Sequence, residues 1–170
     1  MVLRPATLAD VLALARLGRD SFTAAFGHLY DPADLAAFLD TAHDETKVAR
    51  EIAGPDQLHC LADEDGRLAG FAKLDLASPY AGYSEARRPI ALSQLYTAPD
   101  ATGRGIGAAL MDWVLAEART RDADAIQLSV WSENFGAQRF YQRYGFAKIA
   151  DIDFWVGTHR DDEFLYEKQL

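Results

Sequence analysis

With 170 residues, 49% of them apolar and 25% charged, the chain has the length and composition of one soluble domain with a sizeable core. Its formal charge of −9 excludes a phosphate-backbone binder, which needs clustered lysine and arginine, and suits either a cationic substrate or plain solubility. One cysteine precludes a disulfide framework, and with neither a signal sequence nor an apolar run of ~18 residues the expected setting is cytoplasmic, without a membrane or nucleic-acid partner.

In chain order, a short apolar segment and Pro5 precede Thr7 and Asp10, an N-cap followed by an acid at the positive end of the helix dipole. Val11, Leu12, Leu14, Ala15 and Leu17 then predict a helix with a buried stripe. In "DPADLAAFLD" Asp31 caps a second helix, Pro32 takes its first position, and Leu35, Phe38 and Leu39 face inward. "TKVAREIAG" predicts a further short helix ending at Gly54. The period then shortens. "QLHCLADEDGRLAGFAKLDL" reads as a hairpin around "DEDG", with Cys60 a buried strand thiol rather than a nucleophile. "PIALSQLYTAP" is the next strand, reached through the irregular excursion "ASPYAGYSEARRP". From Gly103 onward Ile106, Leu110, Trp113, Val114 and Ala118 share one helical face. "DAIQLSVWS" is a strand, "FGAQRFYQRYG" a helix, and "AKIADIDFWVG" and "DEFLYEKQL" closing strands. The expected fold class is α/β, an α+β mixed sheet in the order β-α-α-β-β-β-α-β-α-β-β with helices on both faces. It forms one domain over residues 1–170 and lacks the steady alternation of a doubly wound fold.

Two junctions set glycines against a helix. In "YTAPDATGRGIGAALM" no Lys-Ser or Lys-Thr pair follows the glycines, so a Walker A loop is excluded. The G-x-G-x-G spacing, coming after three strands, also fails the dinucleotide fingerprint. Glycines at a helix start let backbone N–H groups converge on an anion at the positive end of the dipole, and Arg104 adds a charge there. A glycine-eased helix start without a ligand satisfies the same residues. The second junction, "WSENFGAQRFYQRYGF", taken alone is a helix capped by Asn134, striped by Ala137, Phe140, Tyr141 and Tyr144, and ended by Gly145.

Together the two resemble the GNAT superfamily of acyl-CoA-dependent N-acetyltransferases. Its signature is an R/Q-x-x-G-x-G/A loop followed about thirty residues later by N-x-x-A-x-x-F-Y-x-x-x-G-F. This chain carries Thr102-Gly103-Arg104-Gly105-Ile106-Gly107, then Asn134, Ala137, Phe140, Tyr141, Gly145 and Phe146. Thr102 departs from the usual Arg or Gln, which implies weaker anchoring at most, and a threonine can still cap the helix. The resemblance implies acetyl-CoA as cosubstrate and no metal. It implies that Leu95, Tyr96 and Thr97 pair with the pantetheine arm, that the amides of Gly103, Arg104, Gly105, Ile106, Gly107 and Ala108 receive the pyrophosphate, and that Asn134 contacts the arm. It further implies direct attack by a neutral amine, an oxyanion held by a backbone N–H near Leu95 to Thr97, and Tyr141 as the acid that protonates the leaving thiolate.

No base stands out. Where the peptide-acetylating branch of the family carries a glutamate, five residues before the asparagine, this chain has Ser129. Asp75, Glu85 and Glu133 remain as carboxylates, each readable as a surface charge. The ending "DFWVGTHRDDEFLYEKQL" is similar to that of bacterial spermidine/spermine-type acetyltransferases, and "FGHLYDPADLAAFL" to their helix-pair region. The expected partner is therefore a small-molecule amine, cationic and polyamine-like. A protein N-terminus, a lysine side chain, or a non-catalytic acyl-CoA sensor are the alternatives. Selection is expected from Phe26, His28 and Tyr30 and from the Tyr80 to Glu85 excursion. His28 and His159 read as lone loop histidines, with no metal assigned. The family is often dimeric, which adds a homodimer as a candidate assembly, with Trp155 suited to an interface or to the core.

Overall fold

A computed structural model describes residues 1–170, and its elements follow from local signals along the chain. Strand β1 (Val2–Pro5) leads through a 3-10 turn at Leu8–Asp10 into α1 (Val11–Phe26). The Thr7 N–H and hydroxyl both donate to the Asp10 carboxylate, at 2.8 and 2.9 Å, and Arg4 grips the same carboxylate at 2.8 Å. Leu14, Ala15 and Leu17 are buried as the stripe predicts, but Leu12 is 57% exposed because its position faces away from the sheet. Helix α2 (Pro32–Ala42) begins after Asp31, and α3 (Glu45–Ala53) begins after Asp44, whose carboxylate accepts from the Lys47 N–H at 2.9 Å. Three helices thus precede the second strand, matching the three predicted segments, although the condensed order counts only two.

Strands β2 (Gln57–Glu64) and β3 (Arg67–Asp75) form the expected hairpin, turned by Asp65 and Gly66 with φ of 54° and 88°. Then come β4 (Pro89–Thr97), α4 (Ile106–Thr120), β5 (Ala125–Trp131), α5 (Phe135–Arg143), β6 (Ala147–Val156) and β7 (His159–Gln169). All seven strands share one mixed sheet in the order β1-β2-β3-β4-β5-β7-β6, in which only β4 and β5 are parallel. The last strand starts at His159, three residues before the predicted Asp162, because Gly157 and Thr158 turn the chain straight back from β6. His159 is therefore a strand residue and not a loop histidine.

Alternation along β3 separates the two layers. Lys73 reaches Glu51 of α3 on one face, where α1 and α2 also lie, whereas Gly70 meets α4 on the other. Cys60 is 1% exposed and free, as a structural thiol should be, and burial pushes its pKa up to about 11. At Gly70 a Cβ would stand 2.7 Å from the Tyr96 carbonyl oxygen and 2.9 Å from an Ile106 methyl, so α4 is seated against bare backbone. Gly70→Ala is expected to cost about 1–3 kcal/mol through overpacking, read as a lower urea midpoint with unchanged m-value.

Candidate active site

The parallel pairing of β4 with β5 covers only Pro89–Ala91 against Ala125–Gln127. Beyond it the strands part. The register of β4 on β3 skips Ser93, with Lys73 opposite Gln94 and Leu74 opposite Leu92, and such a bulge bends the strand that carries it. The Ser93 hydroxyl holds the bend by donating to the Lys73 carbonyl at 3.2 Å. Between the parted strands lies a cavity of about 710 Å³, walled by the Leu92–Thr97 end of β4, Ser129–Trp131 of β5, the C-terminal half of α1, and Asn134, Ala137 and Tyr141 at α5. Of the sequence-predicted residues, Leu95, Tyr96, Thr97, Asn134 and Tyr141 line it.

Gly103 to Ala108 do not line the cavity, which stops at Pro99 and Thr102, but they adjoin its mouth. Gly103 and Gly105 have φ of 77° and 79°, and a Cβ on either would meet nothing within 4 Å, so backbone conformation rather than crowding demands glycine there. Gly105 is the N-cap of α4 and no side chain caps the helix. Thr102 therefore does not cap α4; its hydroxyl turns back to the Pro99 carbonyl at 3.4 Å. The first amide of the stretch to find an acceptor is that of Ala109, which donates to the Gly105 carbonyl at 3.0 Å. The N–H groups from Gly103 to Ala108 have no partner within the chain, the condition for an anion cradle at a helix start. Arg104 is spent differently from expectation: its guanidinium pairs with Glu64 at 2.7 Å, so the loop draws its positive potential from amides.

Asn134 accepts from the Ala137 N–H at 3.1 Å and so starts α5, which presents Tyr141 to the cavity. Tyr141 packs edge-on against Phe140 and Phe146, with centroids at 5.4 and 5.9 Å. Desolvation alone pushes its phenol up to about 12, which keeps it protonated at neutral pH.

The remaining wall is aromatic. Phe22, Phe26, Tyr30, Phe38, Trp131 and Phe154 line it in a connected series, with Phe22 to Phe38 at 4.5 Å, Phe38 to Phe154 at 5.6 Å and Phe26 to Trp131 at 6.2 Å. Phe26 and Tyr30 are thus where selection was expected, whereas His28 and the Tyr80 to Glu85 excursion lie outside the lining. Asp75, Glu85 and Glu133 also lie outside it. The carboxylate that does line the cavity is Glu163 of β7, opposite Trp131 of β5. Its Oε2 is buried without a partner, and burial, reinforced by Asp161, raises its pKa to about 7 against a partial offset from the Ser129 hydroxyl. Asp161, two residues away on the same face, is 7% exposed and held by the Tyr30 hydroxyl at 2.5 Å and His159 Nε2 at 3.0 Å. Sequence reading passed over Glu163. The available signal was the missing acid at Ser129, which directs attention to acids on whichever strand pairs with β5.

Residues 18–146 match the model of the acetyltransferase (GNAT) family. An uncharacterised N-acetyltransferase of Mycobacterium bovis is 30% identical over 163 residues, covering 96% of this chain and 99% of the relative. The streptothricin acetyltransferase of Streptomyces lavendulae is 36% identical over 135 residues, covering 78% of this chain and 68% of that protein. Among solved structures, the PaiA N-acetyltransferase of Thermoplasma acidophilum in complex with coenzyme A superposes with a TM-score of 0.82 at 21% identity, over 99% and 98% of the two chains. With the fold, the amide loop and these relatives in agreement, the chain belongs to the GNAT family and is an N-acetyltransferase.

Proposed function

We propose that the protein transfers an acetyl group from acetyl-CoA to a small cationic primary amine of polyamine type. The observation that carries the acceptor class is the cavity's far wall: six aromatic rings beside Glu163, whose buried Oε2 has no partner. Ring faces attract ammonium groups and the Glu163 carboxylate has no cation of the chain paired with it, so a protonated amine supplies what the wall is missing. The formal charge of −9 favours its approach.

Acetyl-CoA supplies the acetyl group already activated as a thioester. The unpartnered amides of Gly103, Arg104, Gly105, Ile106, Gly107 and Ala108 suit its pyrophosphate, and their donors need no reorganisation. Leu95, Tyr96 and Thr97 lie on the edge of β4 that β5 leaves open, where backbone groups can hydrogen-bond the pantetheine amides and hold the developing oxyanion. Asn134 orders the start of α5 beside them. Tyr141, protonated and in the cavity wall, donates its proton to the departing sulfur.

The test is thiol release from acetyl-CoA across a panel of diamines, polyamines, monoamines and N-terminal peptides, run beside a thermal shift. Acetyl-CoA is expected to raise the Tm, by about 3 kcal/mol of stabilisation at a hundredfold excess over Kd. Turnover is expected with the cationic small amines. Turnover confined to peptides would replace the acceptor with a protein N-terminus or lysine. A thermal shift without any turnover would make the protein an acyl-CoA sensor.

A further inference from the structure

We infer that Glu163 is the catalytic base of this acetyl transfer, binding the acceptor's ammonium and taking its proton. The inference rests on the acetyl-transfer reading above. The position on β5 where a glutamate would serve carries Ser129, and the carboxylate arrives instead from the adjoining strand, with Ser129 and Glu163 both in the cavity lining. Asp161 and Glu163 divide the work by their contacts. Both Asp161 oxygens are engaged, one by Tyr30 and one by His159, so it is fixed and occupied. Glu163 Oε2 is buried, unpartnered and without a cation beside it.

The groups around Glu163 are Asp161 on β7 itself, the Ser129 hydroxyl from β5, Tyr30 from the segment after α1, Tyr80 from the excursion before β4, and Tyr96 from β4. Lys47 also lines the cavity, from α3, but its charge acts on His43 rather than on Glu163. Nothing in the protein therefore neutralises Glu163 except a proton or an incoming cation. A carboxyl poised near pH 7 is ionised often enough to accept a proton and basic enough to keep it through the attack.

The balance is simple. The ammonium gives one proton to Glu163 Oε2, leaving a neutral carboxyl and a free amine lone pair. That pair forms the new C–N bond as the C–S bond breaks. Tyr141 delivers a proton to sulfur, the amine's second proton restores Tyr141, and Glu163 returns its proton to solvent. In sum one ammonium and one thioester give one amide, one thiol and one released proton.

The experiment compares wild type with Glu163→Gln, which keeps the shape and removes the charge. Thiol release is followed with putrescine and with trifluoroethylamine, a weakly basic amine already neutral at assay pH. The thermal shift by acetyl-CoA and calorimetric binding of putrescine with CoA present are measured alongside. Wild-type kcat/KM for putrescine is expected to rise with pH through about 7, since only the carboxylate accepts a proton. Glu163→Gln should lose that limb and fall about a hundredfold with putrescine, yet less than about tenfold with trifluoroethylamine, while its acetyl-CoA shift is unchanged. Putrescine turnover within about threefold of wild type, or equal losses for both amines, would overturn the assignment. Should wild type release no thiol with any amine, acetyl transfer itself fails, and Glu163 is then judged on binding alone. About a tenfold loss of putrescine affinity in Glu163→Gln would keep it as the ammonium's partner, and equal affinity would remove it.

Discussion

Tyr141→Phe is expected to lower kcat about a hundredfold while leaving the acetyl-CoA thermal shift and the KM for the amine near their wild-type values. The ring is retained, so its edge contacts with Phe140 and Phe146 survive and folding is not at issue. Only the hydroxyl is lost, and with it a proton held at a pKa near 12 by desolvation. A thiolate leaving without a proton carries the full charge, so the penalty falls on the transition state and not on the ground state. The expected signature is a fall in kcat and kcat/KM together, checked by steady-state thiol release. Unchanged turnover in a correctly folded variant would remove Tyr141 from the chemistry.

The second large effect concerns stability. Lys73, 7% exposed on β3, donates to Glu51 of α3 at 2.8 Å, and His59 of β2 lies 3.7 Å from the other Glu51 oxygen. Glu51→Gln would leave a buried ammonium without its counter-charge and is expected to cost about 3–5 kcal/mol, read from urea midpoints. Replacing both partners, as Glu51→Leu with Lys73→Met, should recover most of that loss, because a hydrophobic pair needs no desolvation of charge. The same cluster sets a response to acid. Burial raises the Glu51 pKa, and the nearby His59 together with the Lys73 hydrogen bond more than reverse it, leaving the carboxyl at about 2 against an ordinary 4.5. A depressed carboxylate contributes stability above its unfolded pKa and loses it as pH falls from 4.5 towards 2. His43 is pushed down to about 4 by burial, with Arg19, Lys47 and Lys73 adding to the effect and Glu51 opposing it. Its unfolded form binds protons first, so it costs stability as pH falls from 6.5 to 4. Glu163, raised from 4.5 to about 7, binds its proton first in the folded state and so gains stability over nearly the same window, offsetting the His43 loss. The wild-type Tm should therefore hold until about pH 4.5 and decline below it, and Glu51→Gln should flatten that decline.

Local signals carried most of the fold. Asp31-Pro32 opens α2, the Asp-Gly turn joins β2 to β3, and the glycines before α4 sit where positive φ is required, so each is readable from a few neighbouring residues. The two motifs likewise brought Tyr141, Asn134 and the β4 edge to one cavity. What escaped was set by pairing between distant segments. "HRDDEFLYEKQ" is rich in acids and reads as a closing strand, yet β7 is inserted between β5 and β6 and is paired along both edges. That insertion buries Asp161 and Glu167 and turns Glu163 into the cavity, while the neighbouring Asp162 stays exposed. No residue within β7 encodes which strands will flank it. The Lys73–Glu51 pair was hidden for the same reason, since its members are 22 residues apart and meet only when α3 settles on the sheet.

The short parallel seam between Pro89–Ala91 and Ala125–Gln127 has a mechanical consequence. The sheet is two leaves, β1 to β4 and β5 with β7 and β6, stitched together at one end and open along the rest. A ligand with amides spaced along an extended arm would act as the missing rungs and fasten the leaves to each other. The protein's stiffness then belongs partly to its cosubstrate, and product release becomes the undoing of a suture that the polypeptide leaves unfinished.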